Sequence, residues 1–166
     1  MQEILIRNAT LEDAENIHNI YRYYVENTTI TFETEVPTVE EIRSRIEQTL
    51  ISYPYLVAEY ENQFIGYTYA GPFRKRKAYS SSAEISLYLD NEIRGKGFGR
   101  ALLSNLEIQL REKGIHTMIS VIESSNTGSL RFHEKNGFIN AGYLPRIGYK
   151  FDKWLDIQIL TKQIMY

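Results

Sequence analysis

The chain has 166 residues, 43% of them hydrophobic and 24% charged, a formal net charge of -2, thirteen tyrosines and no cysteine. That profile predicts one globular domain and excludes disulfides, thiolate metal centres and a protein thiol nucleophile. Mild acidity, the lack of any run of roughly 18 apolar residues and the absence of a leader before Ile4-Leu5-Ile6 predict a cytoplasmic protein with neither a membrane nor a nucleic-acid partner.

Ile4 to Arg7 reads as a short strand. Thr10 and Asp13 have the spacing of a helix cap box, and Leu11, Ala14, Ile17, Ile20 and Tyr24 follow at three- and four-residue steps. Thr38 and Glu41 repeat the device for a second helix, striped by Val39, Ile42, Ile46 and Leu50 and stopped at Tyr53-Pro54. Tyr55 to Tyr60 and Phe64 to Phe73 predict a hairpin around Glu61-Asn62-Gln63. From Ala83 to Asp90 alternation is strict: Ala83, Ile85, Leu87 and Leu89 share one face, and Glu84, Ser86, Tyr88 and Asp90 the other. A helix over Ala101 to Lys113 closes at Gly114, a strand covers Ile115 to Ile122, and a short helix runs from Thr127 to Lys135. Strands over Phe138 to Leu144 and Trp154 to Leu160 complete a β-α-α-β-β-β-α-β-α-β-β order. The class is α/β with a mixed sheet, since hairpins require antiparallel neighbours and the later helices can cross between parallel strands. The three histidines, at 18, 116 and 133, lack the spacing of a metal motif, so no metal is expected.

Arg94-Gly95-Lys96-Gly97-Phe98-Gly99-Arg100 lies between a strand and a helix. Glycines let the backbone bend and present N–H groups at a helix N-terminus, where Arg94, Lys96 and Arg100 add positive charge, a combination suited to pyrophosphate. The same residues could instead make a solvated basic turn. The run is not a P-loop, which ends Gly-Lys-Ser/Thr, nor an early dinucleotide fingerprint.

Arg94-x-x-Gly97-x-Gly99 resembles the Arg/Gln-x-x-Gly-x-Gly/Ala signature of the GNAT superfamily of acetyl-CoA-dependent N-acetyltransferases. Asn126 and the run Leu130 to Phe138 resemble its second cofactor-binding segment. A narrower resemblance, to phosphinothricin and methionine sulfoximine or sulfone acetyltransferases, rests on Tyr24 to Glu35, Tyr53 to Ala58, Gly71 to Tyr79, Ala83 to Leu89 and Gly148 to Asp156. The resemblance covers nearly the whole chain. It implies a GNAT fold, a homodimer, acetyl-CoA as co-substrate without a metal, and a small amino acid as acceptor. It places Leu87, Tyr88, Leu89, Arg94, Gly95, Lys96, Gly97, Phe98, Gly99, Arg100, Asn126 and Ser129 at the cofactor. Phe32, Arg74, Lys75, Arg76, Tyr79, Glu84, Ile85 and Ser86 fall at the acceptor. Many GNAT enzymes have Tyr where this chain has His133, and the phosphinothricin type resembles it in having His.

The chemistry needs a base, because an amine attacks a thioester only when neutral and α-amines are largely protonated at pH 7. Glu84, on a polar strand face beside the glycine loop, is the first candidate. His133 is a second base or a proton donor to the leaving sulfur, and a backbone N–H near Leu87 to Leu89 would polarise the thioester carbonyl. Each has an ordinary alternative, Glu84 as a solvent-facing strand residue and His133 as a helix-surface one. Arg74-Lys75-Arg76-Lys77 reads either as a solvated loop or as an anion clamp, with Tyr79 adding a phenolic donor and Phe32 an apolar wall. A different acceptor amine, such as a protein N-terminus or polyamine, and a non-catalytic CoA-binding sensor are the competing functional readings.

Overall fold

The computed structural model describes residues 3–93 and 95–165. The chain runs β1 (Leu5–Asn8), α1 (Ala14–Asn27), α2 (Val39–Leu50), β2 (Tyr55–Tyr60), β3 (Gln63–Pro72), β4 (Ser82–Leu89), α3 (Phe98–Glu112), β5 (Thr117–Glu123), α4 (Thr127–Lys135), β6 (Ile139–Lys150) and β7 (Lys153–Gln163). The expected order and the mixed sheet both hold. Several boundaries move, the last strand for one running to Gln163 rather than Leu160, and two of the shifts have a plain physical cause. The third helix starts at Phe98 rather than Ala101, because Gly97 in the left-handed region (φ 74°) serves as its N-cap. The strand expected to end at Leu144 continues to Lys150, past Pro145, which is tolerated because β6 is an edge strand whose register breaks there.

Local chemistry sets the helix starts. Thr38 accepts from the Glu41 N–H at 3.1 Å while the Glu41 carboxylate accepts from the Thr38 N–H at 3.0 Å, a reciprocal cap. At the first helix Asp13 accepts from the Thr10 N–H at 2.7 Å and takes both arms of Arg7 at 2.8 Å, which ties β1 to the short 3-10 turn leading into α1.

The sheet order is β1-β2-β3-β4-β5-β7-β6, and β4 with β5 is its one parallel pair among the described residues. Alternation sorts the core onto two faces. On one, Ala83, Ile85, Met118 and Ile122 pack under Leu102, Leu106 and Leu110 of α3. On the other, Val57 and Tyr67 pack under Ile17 and Val25 of α1 and Ile46 of α2. Many of the tyrosines fill this second face: Tyr88 meets Tyr21 and Tyr24 with ring centroids 5.2 Å apart, and Tyr55 stacks on Tyr69 at 4.8 Å.

The segment between α1 and α2 is held from three sides. Tyr21 and Thr31 hydroxyls lie 2.7 Å apart, and the buried Lys150 ammonium donates to the Thr31 carbonyl at 2.8 Å. Phe32 lies so close to Gly148 that a Cβ there would sit 2.4 Å from its ring, so only glycine lets β6 pass beneath. The last hairpin thus fixes a segment from the first quarter of the chain.

Candidate active site

β4 and β5 pair only at Ser82–Thr117, Ala83–Met118 and Glu84–Ile119, and beyond that the strands separate. From Ser86 to Leu89, β4 stays paired with β3 but has lost its partner on the other edge, while β5 stays paired with β7. Backbone groups of β4 therefore face a gap in the middle of the sheet, where a ligand bearing amides can complete the edge as an added strand does. Tyr24 donates to one of these carbonyls, that of Leu89. The residues 87–89 expected to offer an N–H to a reacting carbonyl lie on this stretch.

The gap joins two clefts on opposite faces. Glu84 pairs with Ile119, so Glu84, Ser86 and Tyr88 share a face with Val121 and Glu123, the face covered by α1. Here a cleft of about 430 Å³ is lined by Glu84, Glu123, Tyr69 and Tyr88, and by Phe32 and Glu33 from the segment after α1. Burial raises the Glu84 carboxyl above the ordinary 4.5, with no cation offsetting it, which makes it a stronger base than an exposed glutamate.

Opposite lies a narrower cleft of about 110 Å³ lined by Ser120, Asn126, Ser129, Phe132 and His133. Ile30, Ile85, Ser86, Tyr88, Val121 and Glu123 line both, so the two meet through the gap. His133 is buried, not on the helix surface. Its Nδ1 lies 2.7 Å from the Ser129 carbonyl, which can only accept, so Nδ1 carries the proton. In the neutral ring Nε2 then accepts from the Ser120 hydroxyl 3.0 Å away. Burial lowers the pKa from 6.5, with the Ser129 carbonyl opposing, so the ring is neutral at pH 7. A neutral His133 has its free lone pair at Nε2, the nitrogen that faces Ser120.

The glycine loop fits an anion. Gly95, Lys96 and Gly97 have successive positive φ values of 80°, 57° and 74°, and a Cβ on either glycine would meet nothing within 4 Å. This turn delivers the free N–H groups of α3 to an open hollow. Gly99 has a separate reason, since a Cβ there would come within 3.3 Å of the Phe132 ring of α4. Phe98 turns its ring into the core against Tyr60, 5.0 Å between centroids, so only its backbone serves the loop. The Lys96 ammonium lies 4.6 Å from the centre of the Tyr60 ring. Asn126 caps α4, its side-chain oxygen accepting from the Ser129 N–H at 3.3 Å, and the residue lines the cleft. Arg94 lies outside the described residues, and Arg100 is exposed on the first turn of α3.

Arg74, Lys75, Arg76 and Tyr79 line a hollow of about 490 Å³ that shares no residue with the Glu84 cleft. Their loop nonetheless leaves the sheet beside Glu84, which pairs with Gly71 at the end of β3. Ser120 and Glu123 were not among the residues marked by sequence. Ser120 carries a signal, a polar side chain within an otherwise apolar strand, whereas Glu123 falls just past the expected strand end at Ile122. Among the described residues no cluster of His, Asp and Glu could hold a metal, and no helix is long and apolar enough to cross a membrane.

An amide-ready strand gap, an anion cradle on one side and a basic carboxylate on the other define a group-transfer enzyme working on a phosphate-bearing donor. The chain belongs to the acetyltransferase (GNAT) domain family, whose model matches residues 6–159. It is 34% identical to an L-methionine sulfoximine/L-methionine sulfone acetyltransferase of Salmonella typhimurium, over 96% of this chain and 94% of the relative. A phosphinothricin acetyltransferase of Sinorhizobium meliloti, solved with acetyl-CoA, superposes with a TM-score of 0.92 at 37% identity, covering 96% of this chain and 88% of that one. A structure named ribosomal-protein-alanine N-acetyltransferase, from Brucella melitensis, gives a TM-score of 0.93 at 37% identity, with 96% and 99% coverage.

The His133 environment has a thermodynamic consequence. Its folded pKa lies below the unfolded 6.5, so the unfolded chain binds the extra proton first; the contribution is full above that pH and is lost as pH falls through it. The wild-type Tm should therefore drop more steeply between pH 7.5 and 5.5 than that of His133→Gln, as followed by calorimetry. Parallel curves would show that the ring titrates as freely folded as unfolded.

Proposed function

We propose that the protein transfers acetyl from acetyl-CoA to the α-amine of a small amino acid whose side chain ends in a tetrahedral anionic or sulfone-like group, such as phosphinothricin, methionine sulfoximine or methionine sulfone. The supporting observation is the passage through the sheet: Glu84 lines one cleft, Ser120 and His133 the other, and both open on the same unpaired β4 edge. The N–H groups at the start of α3, with Lys96, suit the donor's pyrophosphate, and the β4 edge with Asn126 suits its amide-bearing arm. When bound, acetyl-CoA supplies a thioester carbonyl open to attack.

The chain's residues then divide the proton work. Glu84 removes a proton from the ammonium, directly or through water, so that the neutral amine attacks. A backbone N–H at 87–89 stabilises the charge gathering on the carbonyl oxygen. Ser120 and His133 pass the amine's second proton to the departing sulfur, so that an amide and a thiol result. Arg76, aided by Arg74, Lys75 and Tyr79, holds the anionic end of the acceptor at the mouth beside Glu84, and Phe32 walls its apolar stem. The name of the Brucella structure favours a second acceptor, a protein N-terminus, but the cations at 74–77 repel a basic N-terminal segment and attract an anionic amino acid.

Thiol release from acetyl-CoA with a panel of amines tests the reading, and release with none of them would leave a CoA-binding sensor. Glu84→Gln should cut turnover of the best amine about 100-fold or more without weakening donor binding, and should abolish the low-pH limb of the rate profile, which lies above 4.5. Arg76→Ala should lower kcat/KM for phosphinothricin or methionine sulfone about 10- to 150-fold and spare a neutral amine. Equal losses for both amines would make Arg76 a loop-supporting residue.

The reading includes a cytoplasmic location and a homodimer. What supports the dimer is the edge hairpin β6–β7, which leaves Ile139, Tyr143, Ile147, Tyr149 and Trp154 each more than half exposed. Sedimentation should give twice the 19.4 kDa chain mass, and Ile147→Glu with Trp154→Glu should give a monomer.

A further inference from the structure

Glu123 ends β5 where the two clefts meet, and it lines both. Its side chain is buried, yet among the described residues no Lys, Arg or His lies within 4 Å of the carboxylate. The other buried carboxylates differ: Asp13 holds Arg7, and Glu107 holds Arg111 and Lys162. Glu123 accepts from the Ser125 N–H at 3.2 Å, from the Ser125 hydroxyl and from the Thr29 hydroxyl at 3.3 Å. A carboxylate has roughly four acceptor directions, so three neutral donors leave one free and the charge unbalanced. A cation entering from the α1 face completes the set.

We infer that Glu123 is the ammonium-binding group of the acceptor site, holding the protonated α-amine at the gap before Glu84 deprotonates it. The inference deepens the proposed function and rests on its amine acceptor. Glu123 shares a face with Glu84, both lining the cleft that ends at the unpaired β4 edge. The ion pair would fix the nitrogen, the atom common to all α-amino acids, while the cations at 74–77 read the far end. The ordinary alternative is that Glu123 only ties Thr29, and with it the segment after α1, to the β5–α4 turn.

Calorimetry with the CoA-saturated protein separates the two. The probes are methionine sulfone and 4-(methylsulfonyl)butanoate, the same molecule without its amine. Wild type should bind the amine-bearing probe about 10- to 100-fold tighter, and Glu123→Gln should erase that preference while leaving the deamino probe and acetyl-CoA within about twofold. Thr29→Val, which cuts only the loop tie, should keep the preference, and it distinguishes the two roles even if Glu123→Gln fails to fold. No preference in wild type, equal weakening of both probes in Glu123→Gln, or loss of the preference in Thr29→Val would overturn the inference. Acetylation of methionine sulfone by wild type is scored separately, so a protein that binds through Glu123 but acetylates a different amine would overturn the substrate and keep the residue.

Discussion

The separation of β4 from β5 after the Glu84–Ile119 pair is the constraint on which the rest of the structure depends. Interior backbone groups are almost always paired, and here a strand in the middle of a seven-stranded sheet loses one partner while remaining enclosed. The flanking structure keeps the gap open. Crossover helix α3 starts from a left-handed glycine, α4 is capped by Asn126, and β7 pairs with the far edge of β5 along its whole length, leaving the edge that faces β4 unpaired beyond Ile119. A molecule able to donate and accept along an extended backbone is what the opening lacks, and the anion cradle at the start of α3 lies at its rim.

The gap also places two opposite electrostatic problems on two faces. On the α1 side burial raises the carboxyl of Glu84, and on the α4 side it lowers the basicity of His133. Both shifts come from loss of water, and both move toward the neutral form. The tyrosines line the first side without adding charge to it. Burial holds the Tyr88 phenol far above its usual 10, so it stays a hydroxyl and does not add charge beside Glu84 and Glu123.

Much of this was legible in the sequence because period alone sorts β4: the alternation from Ala83 to Asp90 puts Glu84 on one face and Ile85 on the other, as found. The Thr38–Glu41 cap and the Gly114 stop were equally plain, since each is local chemistry. What escaped depends on contacts distant in sequence. Nothing near His133 announces its burial, which comes from Ser120 on β5 and the Phe138 ring. Glu123 fell just past the apolar run that marked the strand. The extension of β6 beyond Pro145 is set by its pairing with β7, not by its own residues. The cationic loop was conspicuous as charge, yet its hollow is distinct from the Glu84 cleft, because composition carries no direction.

The two sides of the gap differ in how far the chain must travel to build them. His133 finds Ser129 four residues away and Ser120 thirteen, so the hydrogen bonds that orient its ring are short-range in sequence. Thr29 reaches Glu123 across 94 residues, and Thr31 reaches Lys150 across 119. Distant contacts carry the larger loop-closure entropy and form late. During synthesis the Glu84 side therefore cannot close until Gly148 and Lys150 have emerged, after the partners that hydrogen-bond the His133 ring. Mutation in the last hairpin reaches both sides by different routes: Gly148 and Lys150 bear directly on Phe32 and Thr31, while β7 pairs along the whole of β5 and so sets the strand that carries Ser120 and Glu123.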